Sequence, residues 1–269
     1  MMRSLYSGVS GLKNHQTRMD VIGNNISNVN TVAFKSGRVT FQDIYSQTLK
    51  TATAGNMGVG GTNPVQVGLG SAISTIDTIF NGAAAQRTDY PLDVSIEGDG
   101  FFVVRDSSGT YFTRAGNFHI DQSGNLVNAN GLHVLGVNGQ AVALNGNYHD
   151  ISINDLGQLT GIQTGQSQAQ VITTLGIAVF SNNNGLSKAG ESLYVQTAAS
   201  GAPKSLGTLY CQAGSDGAGT INPGSLEMSN VDLTNEFTDM IVTQRGFQAN
   251  ARVITTTDQM LEEMVNLKR

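Results

Sequence analysis

Leu233-Thr-Asn-Glu-Phe-Thr-Asp-Met240-Ile-Val-Thr-Gln-Arg-Gly-Phe247-Gln-Ala-Asn-Ala-Arg-Val-Ile254-Thr-Thr-Thr-Asp-Gln-Met-Leu261 sets a large apolar residue at every seventh position. The other end of the chain does the same with Leu5, Leu12, Met19 and Ile26. A seven-residue repeat keeps one stripe of a helix turned toward a partner helix. Two such stripes at opposite ends predict that the ends meet as a helical pair. Everything between them reads as β-structure. The expected fold class is therefore α+β, with paired N- and C-terminal coiled-coil-like helices and a central antiparallel β-rich domain.

Working outward, residues 3 to about 30 read as a helix with a stripe of Leu5, Val9, Leu12, Met19, Ile22, Ile26 and Val29. Asn24, Asn25, Asn28 and Asn30 then favour turns over helix and predict its end near Val29. The C-terminal helix starts from Asp232 or Thr234 as N-cap. Its early acids, Glu236 and Asp239, and its closing Lys268 and Arg269 complement the helix dipole. The heptad places a second seam position at Phe237, Gln244, Ala251, Asp258 and Val265, where the polar entries fix register at a cost in stability. Apolar residues outside a single seam, such as Ile241 and Val242, need further neighbours. A two-helix pair covers only one stripe.

The expected organisation is a terminal helical assembly domain (1–30 and 225–269), an extended Gly-rich arm (31–75) and a central β-rich domain (76–224). The arm includes Thr51-Ala-Thr-Ala-Gly-Asn-Met-Gly-Val-Gly-Gly-Thr-Asn-Pro64. In the β-region, Asn-Gly pairs begin at Asn81, Asn130, Asn138, Asn145 and Asn184, and they are strong signals for tight hairpins. Asp-initiated turns recur at Asp106, Asp121 and Asp155. The pattern predicts an antiparallel meander or barrel and no parallel βαβ unit.

Charged residues make up 13 % of the 269 positions and the net charge is -5, which argues against a nucleic-acid-binding face. Cys211 stands alone, so no intrachain disulfide forms, and it has no base beside it in sequence. The start lacks an apolar leader core, and no run approaches the ~18 apolar residues of a membrane span. The expectation is a protein that is cytosolic or exported without a cleaved leader, with no membrane insertion. His15, His119, His133 and His149 show no metal-ligand spacing. Gly58-Val-Gly60-Gly61 and Gly68-Leu-Gly70 lack the Lys-Ser/Thr of a phosphate loop. Glu97-Gly-Asp-Gly100 lacks the ligands of a calcium loop and reads as a hairpin turn. The sequon at Asn25 lies on a helix end expected to be buried. No catalytic, cofactor or metal residue is assigned, and no enzyme activity is expected.

Ser10-Gly-Leu-Lys-Asn-His-Gln-Thr-Arg-Met-Asp-Val-Ile-Gly-Asn-Asn-Ile-Ser-Asn-Val-Asn-Thr-Val-Ala-Phe-Lys35 resembles the N-terminal signature of bacterial flagellar rod and hook proteins. Its core is Asn24, Asn25, Ile26, Asn28, Asn30 and Thr31, followed by Phe34 and Lys35. Gly224-Ser-Leu-Glu-Met-Ser-Asn-Val-Asp-Leu233 and Thr243-Gln-Arg-Gly-Phe-Gln-Ala-Asn250 resemble the family's C-terminal segment. Asp93-Val-Ser-Ile-Glu-Gly-Asp-Gly-Phe-Phe-Val-Val104 and Thr113-Arg-Ala-Gly-Asn-Phe118 resemble its β-domain. Ala33 departs from the Gly that the family usually has before Phe-Lys. Met264-Val-Asn-Leu-Lys-Arg269 and Asn130-Gly-Leu-His-Val-Leu-Gly136 are similar to a hook protein. The short chain suits a rod protein or the compact hook of Gram-positive bacteria.

The resemblance implies a structural subunit of the flagellar hook, in a tube that couples rod to filament, with the distal rod subunit as the alternative. A monomeric adhesive β-protein is the reading from another class. The implied self-assembly seam is Leu5, Leu12, Met19, Ile22, Ile26, Leu233, Phe237, Met240, Phe247, Ile254, Leu261 and Val265. The implied partners are further copies of the chain, rod and hook–filament junction proteins, the hook cap and the flagellar export apparatus. The terminal helices are expected to be disordered in the free subunit.

Overall fold

The computed structural model describes residues 2–55, 60–144, 148–163, 168–204 and 209–267. The Asn145-Gly turn, Gly58-Val59 and the closing Lys268 and Arg269 lie outside them. The chain divides into two compact units: residues 1–27, 37–78 and 232–269 form one, and residues 28–36 and 79–231 form the other.

The first unit holds α1 (Met2–Ser27), β1 (Gly37–Asp43), β2 (Ser46–Lys50), β3 (Val65–Gly68), β4 (Ser71–Thr78) and α2 (Leu233–Asn266). α1 stops two residues before Val29, where Asn28 opens a turn closed by the Thr31 amide on its carbonyl at 3.1 Å. Asp232 caps α2, its carboxylate accepting from the amides of Thr234 and Asn235. The helices run antiparallel: Arg18 pairs with Asp239 at 3.0 Å, while a methyl group placed on Gly8 would touch Ile254. Within the stretch expected as an extended arm lie paired strands. β1 pairs with β4 and β2 with β3, both antiparallel.

The second unit contains β5 (Ala85–Arg87), β6 (Val94–Glu97), β7 (Phe101–Asp106), β8 (Gly109–Thr113), β9 (Phe118–Ile120), β10 (Leu126–Asn128), β11 (His133–Val134), β12 (Tyr148–Ile153), β13 (Gln158–Gln163), β14 (Ala169–Thr174), β15 (Ile177–Ala178), β16 (Ser187–Gly190), β17 (Leu193–Val195), β18 (Thr220–Pro223) and β19 (Ser225–Glu227). Its largest sheet has the order β16-β17-β8-β7-β11-β10-β9, with β15 also on β7. A three-stranded sheet, β12-β13-β14, and the pairs β18-β6 and β19-β5 join it, and among the described residues every strand pairing is antiparallel.

β7 lies between two cores because its four leading residues alternate faces. Phe102 and Val104 pack with Phe118, Leu126, Leu159 and Leu175. Phe101 and Val103 pack with Phe112, Phe180 and Tyr194. All four are fully buried, which explains why Phe101-Phe-Val-Val104 is a continuous apolar run. Turn chemistry follows the sequence at Asn130-Gly131 and Asn138-Gly139, where the glycines take φ 79° and 72°. Three turn expectations are corrected. Asn81-Gly82 lies between β4 and β5, which pair with β1 and β19 instead of with each other. Asn184-Gly185 lies in a short 3-10 helix, Asn183–Gly185. Glu97-Gly-Asp-Gly100 links β6 and β7, which pair with other strands instead of with each other. Core packing on each strand set its partner there, over the local turn residues.

Candidate assembly site

In the helix pair, the first heptad position faces inward: Met240, Phe247, Ile254 and Leu261 are half-buried on α2, as are Leu5, Leu12, Met19 and Ile26 on α1, where Ile22 is buried. Leu233, in the first turn, is more exposed. The second seam position needs correction. The structure uses the residue one place earlier, namely half-buried Glu236 and Asn250 and buried Thr243 and Thr257. Phe237 and Val265 are 51 % and 67 % exposed, and Gln244 and Asp258 are also exposed. The physical reason is close approach. A methyl group on Gly246 would lie 2.7 Å from the His15 ring, and one on Gly11 would lie 2.8 Å from the Asn250 amide. Small and polar side chains fit between helices that close, and Phe237 does not. Apolar periodicity alone does not reveal a Thr-Asn-Thr stripe.

The displaced apolar residues form exposed surface. Phe237, Ile241, Val242, Val253, Met260, Met264 and Val265 on α2 stay exposed, as do Tyr6 and Val9 on α1. The pairing of α1 with α2 leaves these side chains uncovered.

The signature residues do separate things. Asn25, 2 % exposed, donates to the Gly37 carbonyl and to Glu236 Oε1, both at 2.9 Å, and accepts from the Gly37 amide. Burial raises the Glu236 carboxyl above its ordinary range, with the Asn25 hydrogen bond opposing. Asn24 and Asn30 are exposed, and the Thr31 hydroxyl donates to Asn28 Oδ1 at 3.1 Å. The Phe34 ring lies beneath Lys188 Nζ at 5.2 Å. The Lys188 ammonium reaches the Lys35 carbonyl, and Ser192 Oγ reaches that of Val32.

Lys35 is the signature residue with the largest structural consequence, and nothing in the periodicity singles it out. Its ammonium is fully buried, 2.6 Å from Glu227 Oε1 and 2.7 Å from the Asn81 carbonyl. Arg114 Nη1 lies 3.5 Å from Glu227 Oε2, and its guanidinium stacks over Phe101 at 5.3 Å. Burial pushes the Lys35 ammonium down, while the charge of Glu227 acts the other way. Two cations thus share one carboxylate. Burial pushes the nearby Tyr194 hydroxyl up to about 12.

A groove of about 440 Å³ in the first unit presents His15 alone among titratable groups, beside Ser7, Asn14 and Ser71. His119 is exposed, and Cys211 is buried with its thiol raised by burial, then by Asp216. The side chain of His149 lies outside the described residues. Among the described residues, no group of three His, Cys, Asp or Glu side chains is placed to hold a metal ion, and no helix is long and apolar enough to cross a membrane.

An antiparallel pair of terminal helices with apolar surface left over, carried by a chain whose remainder is antiparallel β, defines an α+β structural subunit. Three family descriptions match it in succession. "Flagella basal body rod protein" covers residues 5–35, "Flagellar hook protein FlgE/F/G D1 domain" covers 95–161, and "Flagellar basal body rod FlgEFG protein C-terminal" covers 222–267. The FlgG flagellar basal-body rod protein of Bacillus subtilis is 49 % identical over the whole of both chains. That of Caulobacter vibrioides is 36 % identical over 99 % of this chain and 100 % of its own. The FlgE flagellar hook protein of Treponema pallidum is 31 % identical over all of both chains, in an alignment of 468 positions. The chain belongs to the flagellar rod and hook protein family. Lys35, Arg114 and Glu227 fall one in each of the three matched segments.

Proposed function

We propose that this chain is the distal rod subunit of the flagellar basal body, a structural and non-catalytic protein that polymerises into a helical tube. The observation that carries the reading is length. The FlgG rod relative aligns over 269 positions, the length of this chain, whereas the FlgE hook relative needs 468. The compact-hook expectation drawn from Met264–Arg269 and Asn130–Gly136 gives way to it. α1 and α2 pair on the stripe of Met240, Phe247, Ile254 and Leu261, and the exposed set from Phe237 to Val265 meets neighbouring copies. Burying each large apolar side chain there contributes roughly 1.5–3 kcal/mol. The β1–β4 arm bridges neighbours, and the subunit's axial neighbours are other rod proteins and the hook.

Electron microscopy of basal bodies from a strain lacking the gene tests this. A rod truncated at its distal end is expected. A complete rod without a hook would overturn the rod reading in favour of the hook.

A further inference from the structure

The chain passes between its two units four times, after residues 27, 36, 78 and 231. Inside the second unit, residues flanking three of these passages, those after 36, 78 and 231, are tied together. The Asn230 side chain accepts from the Ser36 amide at 2.8 Å and donates to the Ile79 carbonyl at 2.8 Å. The Ile79 amide donates to the Ser36 carbonyl at 2.9 Å. The Ala33 amide donates to the Glu227 carbonyl at 2.8 Å, beside the buried Lys35–Glu227–Arg114 cluster. Backbone strain collects at the same place. Ala33, Glu191 and Ser192 adopt φ 58°, 54° and 59°, and Ser192 holds the Val32 carbonyl. Non-glycine residues keep such angles only where their surroundings over-determine them.

We propose that these residues form a preformed clamp, closed in the free subunit, that gathers the chain passages before polymerisation begins. The polymer then does not have to organise the roots of its own helices. The end of α1 and the start of α2 are then held before neighbouring copies arrive, which reduces the entropy lost on assembly. The inference goes beyond the rod reading and holds equally for a hook subunit, because it concerns the unassembled chain.

The test is amide hydrogen exchange on the dilute full-length monomer. The Ala33, Ser36 and Ile79 amides are expected to exchange at least about 100-fold more slowly than in an unstructured peptide. Asn230→Ala is expected to speed exchange at Ser36 about tenfold while Val103 and Val104 of β7 stay protected. Unprotected Ala33, Ser36 and Ile79 amides in the wild-type monomer would overturn the clamp, whatever the helices do. So would an unchanged Ser36 amide in Asn230→Ala.

Discussion

Glu227 stands alone against two cations, Lys35 and Arg114, and all three side chains are at most 2 % exposed. Removing the anion leaves two buried like charges, whereas removing Lys35 leaves a matched Arg114–Glu227 pair. Glu227→Gln is therefore expected to cost about 3–5 kcal/mol and Lys35→Met clearly less. Urea unfolding followed by tyrosine fluorescence measures both, and equal losses would refute the charge count. Ala33 is a second single-residue case. Its φ of 58° costs a non-glycine residue about 1–2 kcal/mol, offset in part by a fully buried methyl worth about 0.8 kcal/mol. Ala33→Gly is expected to fall within about 1 kcal/mol of the parent, because relief of strain competes with that methyl and with unfolded-chain entropy. Ala33→Val, β-branched at a positive φ, is expected to lose more than about 2 kcal/mol by the same measurement.

The helices turn the same reasoning into matched pairs of variants. Gly23 has open space around it, so Gly23→Ala is expected to stabilise α1 by up to about 1 kcal/mol. Gly246→Ala gains the same propensity but drives a methyl into the His15 ring, and overpacking of about 1–3 kcal/mol makes it a net loss. Circular dichroism melts of the two variants give the comparison. His15 adds a pH term. Burial, then Arg18, lowers its imidazole below its ordinary 6.5, so the folded helix pair prefers the neutral ring. The associated stability is complete above pH 6.5 and declines as the pH falls through the lowered value. His15→Gln is expected to flatten that decline, and an unchanged profile would show that another group causes it. Much of this was legible beforehand. Heptads gave both helices, Asp232 gave the cap, and Asn-Gly gave two of the turns. The tight seam was hidden because Thr243, Asn250 and Thr257 are polar, and polar residues leave no mark in an apolar period. The Lys35–Arg114–Glu227 cluster was hidden because its members lie far apart in sequence, and buried charges pair by topology.

For the whole molecule, the question is how one helix serves two interfaces. Phe247 is half-buried toward α1, and Ile241 is 60 % exposed. A charge at each position therefore interrupts a different event. Phe247→Asp is expected to break the helix pair itself by burying a carboxylate in an apolar seam, and so to abolish polymer while the β7 amides stay protected. Ile241→Asp costs the free subunit little, because the new carboxylate stays in water. The same change places a charge in every copy's contact once subunits pack. It is expected to leave the monomer's helicity and melting temperature within error while reducing polymer formation at least about tenfold, as read by sedimentation of mixtures at rising concentration. Normal polymer from Ile241→Asp would mean that Ile241 faces solvent in the assembly, and the neighbour contacts would then involve other exposed apolar residues, such as Tyr45, Leu49 and Val65.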